Sequence, residues 1–170
     1  MEEKKQTHVI YGLISGIGMV ILGVVFYLLG LSLKPGIQYA LYLPFLVGVL
    51  LNAMAYSKAN DAQVTFGNVF GSCFKVAIIA TLILVVWSVV SMFIFPNMKE
   101  MIFQSIQERM AQQKMSDEQI DKVIAWYRRN WTTFLIAGSL IGGMFMGLLF
   151  SLLGGAIAKK QPAQIKGDNF

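Results

Sequence analysis

Four long segments without a charged residue dominate this sequence and restrict the folds that it can adopt. They cover residues 9–33, 36–56, 76–95 and 131–158. Each is long enough to cross the hydrocarbon core of a membrane, which is about 30 Å thick and needs about 20 helical residues. Lipid offers the backbone no hydrogen bonds, and the segments lack the alternation of barrel strands. The sequence therefore predicts an all-α integral membrane protein with four transmembrane helices.

The composition agrees with this class of protein. Only 14% of the residues are charged, whereas a soluble domain has about 25%. A net charge of +5 would suit a nucleic-acid partner in a soluble protein, but here the basic residues lie mostly beside the apolar segments. We therefore expect these basic residues to interact with the anionic headgroups of the lipid bilayer, and we expect no nucleic-acid partner.

The distribution of positive charge predicts the orientation. Lys4 and Lys5 precede the first segment, as basic residues precede the apolar region of a signal peptide. That region has only about 7–15 residues, and the first segment is longer, so we predict a retained span. Four spans place both termini on one side. Near span ends, that side has Lys4, Lys5, Lys58, Lys75, Lys159 and Lys160, and the other has Lys34, Lys99, Arg128 and Arg129. This excess predicts cytoplasmic termini.

A hydrophilic insert, residues 96–130, separates the third and fourth spans. After Pro96 it contains neither Gly nor Pro and is rich in residues that favour helix. Ser116 followed by Gln119 is a capping-box pattern, which predicts a helix start near Ser116. Apolar residues recur at helical spacing on both sides of a turn near Gln113. We therefore predict an extended amphipathic helical hairpin, which either projects from the membrane or lies on its headgroups.

The segment TFGNVFGSCFK, residues 65–75, leads into the third span. With Thr65 as the N-cap, Gly67, Gly71 and Lys75 share one face of an interfacial helix. A basic side chain in such a position can reach lipid phosphates, although a simple interface anchor is the plainer interpretation. The candidate headgroup-binding residues are Lys75, Arg128 and Arg129.

Inside the four spans there is no charged residue. Such residues usually mark ion or proton pathways, so their absence argues against an ion-coupled transporter. His8 is the only histidine and Cys73 the only cysteine, so the sequence predicts no metal site, no cofactor and no catalytic residues. A cavity that gathers the polar residues of the spans would favour a transporter, and a dry core would argue against one. These polar residues include Tyr27, Asn52, Ser88 and Ser91.

Small residues recur every four positions in the fourth span and predict close helix packing. Gly12 and Gly16 repeat this spacing in the first span, so we expect spans one and four to pack together within the chain. A homodimer seam along the fourth span and a glycine-lined pore are the alternatives. The small residues of the fourth span are Ser139, Gly143, Gly147, Ser151 and Gly155.

Several short motifs resemble one family of bacterial membrane proteins. They are residues 65–67, Phe70, Lys75, residues 94–97 and the end of the last span, residues 156–160. In these the chain is similar to the domain of unknown function 4199 family. The resemblance implies a four-span protein of the bacterial inner membrane with no established activity. It also suggests an association with glycosyltransferases that act on lipid-linked sugars.

Two hypotheses follow. The first is a non-enzymatic membrane protein that binds a membrane protein partner or associates with itself, as the small-residue stripes and the hairpin suggest. The second is a lipid-handling or small-solute transporter or accessory, in which Lys75, Arg128 and Arg129 contact phosphates and which could act on lipid-linked sugars.

Overall fold

The computed structural model describes residues 5–34 and 36–161, apart from the side chain of Gln38. Lys4, which contributes to the orientation prediction, lies outside these residues. Every regular element of the described chain is a helix, and these residues contain no strand. Its helices are α1 His8–Leu28, α2 Ile37–Ala40, α3 Leu43–Ala59, α4 Phe66–Ile94, α5 Pro96–Gln112, α6 Asp117–Arg129 and α7 Trp131–Ile157.

Three of these helices, α1, α4 and α7, are long and apolar enough to cross a membrane. The predicted count of four spans is not confirmed, because α3 has only 17 residues and is therefore about 26 Å long at 1.5 Å per residue. The predicted span over residues 36–56 is divided between α2 and α3. Pro44 accounts for this break, since its ring would clash with the carbonyl of Ala40 and it has no N–H to donate.

The first helix also ends earlier than predicted. Residues 9–33 form one apolar segment, but α1 stops at Leu28. Gly30 has a φ of +65°, a backbone conformation that glycine adopts without strain. Its N–H donates to the Tyr27 carbonyl at 3.0 Å, and the N–H of Leu31 donates to the Phe26 carbonyl at 2.8 Å. These two bonds form a Schellman motif, which terminates the helix.

Contacts near the chain ends fix the direction of the helices. The backbone N–H of Lys5 donates to Asn60 Oδ1 at 3.0 Å, and that of Gln161 donates to the Ala62 carbonyl at 2.8 Å. The start of α1, the α3–α4 connection and the end of α7 therefore share one end of the bundle, called the terminal end below. Helices α1, α3, α4 and α7 alternate in direction, and α5 and α6 lie at the opposite, hairpin end.

Helix α4 is the centre of the bundle and contacts α1, α3 and α7. It is one continuous helix of 29 residues, and it contains the third span and all of the predicted interfacial helix, residues 65–75, except its N-cap Thr65. Thr65 caps it, because the Asn68 N–H donates to Thr65 Oγ1 at 3.2 Å. Residues such as Val69, Val76 and Ala80 are fully buried along it.

The small residues of α1 lie against α4. A Cβ added at Gly12 would lie 2.7 Å from the Cβ of Ile79, and one at Gly16 would lie 2.6 Å from Cδ1 of Ile83. Real Cβ atoms do not approach this closely, so only glycine permits the observed distance between α1 and α4.

The stripe on α7 also lies against α4 rather than against α1. A Cβ at Gly143 would lie 2.5 Å from Thr81 Oγ1, one at Gly147 2.5 Å from the Cβ of Ala77, and one at Gly155 2.8 Å from Phe66. Ser151 is fully buried and donates to the Gly147 carbonyl at 2.6 Å. Most of the small-residue stripe, the predicted homodimer seam, is therefore covered by α4 of the same chain. Ser139 is only partly buried and lies toward the hairpin end.

The insert forms the predicted helical hairpin. Helix α5 ends at Gln112, and α6 begins after Ser116, whose Oγ accepts from the Gln119 N–H at 3.4 Å in a complete capping box. The inner surfaces of the two helices bury Phe103, Ile120 and Ile124. The hairpin is therefore a packed structure and not an irregular loop.

Candidate functional site

The hairpin end of the bundle contains a cavity of about 550 Å³. It exists because α3 begins only at Leu43, whereas α1, α4 and α7 continue past that level and leave a space between them. The chain around α2 and the first turns of α5 close the sides of this space. Lining residues include Gly23 and Tyr27 of α1, Trp87 and Ser88 of α4, Ser139 of α7 and Met98 of α5.

Aromatic and apolar side chains form most of the cavity wall. The rings of Tyr27 and Phe95 have centroids 4.3 Å apart, and Phe95 makes an edge contact with Trp87 at 6.4 Å. Met98 and Ile102 of α5 extend this wall. A concave site of about 300–1,000 Å³ with such a lining and a few polar groups is typical of small-molecule binding sites.

A few hydroxyl groups supply the polarity of the cavity. Ser88, Ser91 and Ser139 each donate to a backbone carbonyl of their own helix, at 2.7, 2.9 and 2.7 Å. Their oxygens remain able to accept a hydrogen bond. Tyr27 and Tyr42 also line the cavity, and their hydroxyls have no hydrogen-bond partner among the described residues. Among those residues, none with a charge lines the cavity.

Three of the four polar residues singled out in the sequence line this cavity, namely Tyr27, Ser88 and Ser91. Asn52 does not, because it lies in the buried core nearer the terminal end. Its Nδ2 donates to Ser72 Oγ at 3.1 Å, and Thr7 Oγ1 donates to its Oδ1 at 2.6 Å. These bonds join α3, α4 and the segment before α1, so Asn52 has a structural role.

A smaller pocket adjoins the cavity, with a volume of about 40 Å³. It is called the side pocket here, and its walls add Lys99 of α5 and Trp131 of α7 to side chains that it shares with the cavity. The shared residues are Ser88, Ser91, Phe95, Met98 and Ile102. The two spaces are therefore adjacent, and together they provide an apolar body and one basic edge.

The three candidate headgroup residues do not converge. Lys75 is exposed on α4, and 19 residues, or about 28 Å of helix, separate it from the end of α4 at Ile94. Arg128 and Arg129 lie at the hairpin end, and both are exposed. Any headgroup contact by Lys75 would therefore involve the other surface of the membrane.

Arg128 is occupied by other contacts. Its Nη1 and Nη2 donate to Glu100 Oε1 and Oε2 at 2.8 and 2.6 Å, and its guanidinium lies 4.6 Å from the Phe103 ring centroid. The hydrogen bonds from Arg128 lower the pKa of Glu100, and the carboxylate raises the pKa of Arg128. The pair therefore stays ionised at neutral pH and leaves Arg128 poorly placed for an external phosphate.

Sequence reasoning missed Tyr42, Trp87, Lys99 and Trp131 as site residues. The available signal was Pro44, because a proline inside an apolar segment predicts a helix break and hence a shorter helix. Within residues 5–34 and 36–161, no three His, Cys, Asp or Glu side chains lie close enough together to hold a metal ion. Cys73 is fully buried, and its Sγ lies 3.5 Å from the Val49 carbonyl oxygen.

These features define a small helical membrane protein with a cavity between its long helices. Residues 10–160 match the family described as protein of unknown function (DUF4199), and the chain belongs to that family. Neither the curated proteins nor the solved structures yielded a match.

Proposed function

We propose that the protein is a non-enzymatic membrane protein that binds one amphiphilic lipid in the cavity at its hairpin end. This is the lipid-handling hypothesis drawn from the sequence, now attached to a defined site. The cavity itself carries the proposal. It has room for an apolar chain, its walls are apolar and aromatic, and its few hydroxyls can orient a ligand that is polar at one end.

The position of the cavity supports a lipid as the ligand. Its walls come from α1, α4 and α7, the three helices long and apolar enough to span a membrane. Many side chains on the outer surfaces of these helices are large, apolar and exposed, for example Ile17, Val86 and Phe145. The cavity would therefore lie between helices that are surrounded by lipid.

The test measures binding of a neutral amphiphile, 1-oleoylglycerol, to the purified protein in mild detergent by native mass spectrometry. The wild type should retain one molecule saturably. Gly23→Leu should weaken binding, since Gly23 lines the cavity and the nearest atom to an added Cβ is Cδ2 of Leu41 at 3.8 Å. Crowding of this kind costs about 1–3 kcal/mol, which corresponds to about a tenfold loss of affinity or more.

Gly138→Leu is the matched control. It places the same side chain on α7 at a glycine with no neighbouring atom within 4 Å, and it should bind like the wild type. Equal affinities for the wild type and Gly23→Leu would contradict the proposal.

A membrane protein partner or self-association remains a separate proposal. The main observation behind it is the stripe of small residues on α7. Gly143, Gly147 and Gly155 of that stripe lie against α4 within the chain, so they are not free to contact a partner. Crosslinking in mild detergent followed by affinity purification tests it. A single stoichiometric partner or a defined oligomer would support it, and a monodisperse monomer would count against it.

The location belongs to the proposal as well. We propose a bacterial inner membrane with both termini in the cytoplasm, on the basis of the family resemblance and the excess of Lys and Arg near span ends on the terminal side. The cavity would then open near the outer surface of that membrane.

A further inference from the structure

Two residues that line the side pocket, Trp131 and Lys99, carry hydrogen-bond donors that have no partner among the residues described. Nε1 of Trp131 is buried and has no hydrogen-bond partner in the described part of the chain. A buried indole N–H normally finds an acceptor, because leaving it unpaired costs about 1–3 kcal/mol. Trp131 is held in place by an edge contact with Phe103, with ring centroids 5.2 Å apart.

Lys99 supplies a positive charge at the same pocket. Its side chain is partly buried, and its Nζ lies 5.8 Å from the Phe103 ring centroid. Neither of the two ion pairs formed by described residues involves Lys99. The neighbouring carboxylate, Glu100, is instead bound by both guanidinium nitrogens of Arg128.

The side pocket contains no negative charge of its own. Its described walls include no Asp or Glu, and its hydroxyls, those of Ser88 and Ser91, already donate to backbone carbonyls. Lys99 and Trp131 both line this small space, and an ammonium group and an indole N–H are complementary to an oxyanion, which accepts hydrogen bonds from both.

We propose that the side pocket binds the anionic head, a phosphate or carboxylate, of the amphiphile whose chain occupies the cavity. This inference rests on the proposed function and specifies its ligand class as an anionic amphiphile. Lys99 lies in the first turn of α5, just beyond the end of α4. Since α4 is one of the helices long enough to span a membrane, that position would lie at the membrane boundary, where the head of a lipid lies when its chain is within the bilayer.

The test compares a neutral ligand, 1-oleoylglycerol, with two anionic ones. 1-Oleoyl lysophosphatidate carries a phosphate on the glycerol of 1-oleoylglycerol, and oleate supplies the carboxylate case. In native mass spectrometry the wild type should prefer the two anionic ligands to 1-oleoylglycerol. Lys99→Gln and Trp131→Phe should each reduce this preference about tenfold, because a hydrogen bond to a charged group is worth about that factor. Lys99→Arg, which keeps the charge, should restore most of it.

Two variants serve as matched controls outside the site. Lys114→Gln removes a charge from the exposed turn of the hairpin, and Trp126→Phe removes an indole N–H from a half-exposed tryptophan. Both should leave the preference unchanged. The ratio of the two affinities is the decisive readout, since general loosening of the fold would weaken both ligands alike.

The outcomes separate the two proposals. Equal binding of the charged and neutral ligands, unaffected by Lys99→Gln, would overturn the headgroup site and leave the lipid cavity standing. Absence of binding by all three ligands would overturn the cavity proposal itself. Displacement of lysophosphatidate by an equal concentration of inorganic phosphate would leave an anion site but overturn its assignment to an amphiphile, because the chain would then contribute nothing.

Discussion

The carboxylate of Glu100 accepts two hydrogen bonds from the guanidinium of Arg128, at 2.8 and 2.6 Å. This pair joins α5 to α6 across the hairpin and lies beside Phe103, whose ring the guanidinium also covers at 4.6 Å. Both partners remain about half exposed. The pair therefore fixes the geometry of the two helices next to Lys99, and solvent screens part of its strength.

The pair predicts a pH-dependent hairpin. Arg128 lowers the pKa of Glu100 in the folded state, chiefly through hydrogen bonding. A lowered folded-state pKa stabilises the fold at pH values above the unfolded pKa, and the contribution disappears as pH falls through the folded pKa. Near neutral pH, Glu100→Gln should therefore increase hydrogen–deuterium exchange of α6 amides relative to the wild type.

At a pH below the folded pKa of Glu100, the wild type and Glu100→Gln should exchange at the same rate, because the wild-type carboxyl is then neutral too. Glu108→Gln is the control, since Glu108 is exposed on the same helix and takes part in neither of the ion pairs. An exchange difference of equal size at both pH values would contradict this account.

Gly143 provides a test of close packing between α7 and α4. A Cβ at this position would lie 2.5 Å from Thr81 Oγ1 and 2.7 Å from its Cγ2. Gly143→Ala should lower the free energy of unfolding by about 1–3 kcal/mol, the usual range for overpacking. Gly138→Ala, at a site with nothing within 4 Å, should be nearly neutral. Unfolding in detergent by denaturant, followed by circular dichroism, measures both.

A second substitution shows whether Thr81 is the cause. Thr81 Oγ1 is buried and has no hydrogen-bond partner among the residues described, so Thr81→Ala removes the crowding atoms without breaking a hydrogen bond. The double variant with Gly143→Ala should recover part of the lost stability. Simple additivity of the two effects in a double-mutant cycle would indicate that Thr81 is not the obstacle.

Features that depend on residues within one helical turn could be predicted from the sequence. The side chains of Thr65 and Ser116 cap α4 and α6 by accepting from the backbone N–H three residues later, and the side chain at that later position accepts from the N-cap N–H in return. A cap of this kind needs no distant partner, so its pattern is visible in the sequence alone. The long apolar helices are predictable for a similar reason, because the bilayer imposes one condition on every residue of a span.

The helix that each small-residue stripe contacts could not be predicted in this way. Gly12 and Gly143 both lie against α4, where Ile79 and Thr81 occupy the space that the missing side chains leave. A stripe of small residues indicates that a backbone comes close, but many apolar helices could fit it. Which helix a stripe contacts depends on how all the helices of the chain pack together.

The cavity, too, could be predicted from the sequence only in part. Pro44 signals locally that α3 starts late, but the space left empty depends on three other helices continuing past that point. Tyr27 and Ser88 were singled out as polar residues within apolar spans, and both line the cavity. Asn52 carries the same signal and is instead buried in the core.

Asn52 predicts a measurable change in the reactivity of Cys73. Its Nδ2 lies 3.1 Å from Ser72 Oγ and 3.7 Å from Cys73 Sγ. Asn52→Ala would leave Ser72 without this donor and lower stability by about 1 kcal/mol. Local opening around the fully buried Cys73 should then become about fivefold more frequent, so a maleimide should label the thiol about fivefold faster.

Asn97→Ala is the matched control for this measurement, because Asn97 is an exposed asparagine at the start of α5. It should label at the wild-type rate. Unchanged labelling of Cys73 in Asn52→Ala would show that the hydrogen bonds of Asn52 do not hold α3 and α4 together.

The protection of Cys73 also permits a test of orientation. Because Cys73 is fully buried, a new exposed cysteine should dominate labelling by a membrane-impermeant maleimide. Lys159→Cys lies at the terminal end and Asp121→Cys on α6 at the hairpin end, and both side chains are exposed. With cytoplasmic termini, spheroplasts of a bacterial host should label Asp121→Cys directly and Lys159→Cys only after lysis. The reverse pattern would invert the orientation. Labelling of both positions in intact spheroplasts would contradict the arrangement itself, because it requires the termini and the hairpin to lie on opposite sides of the membrane.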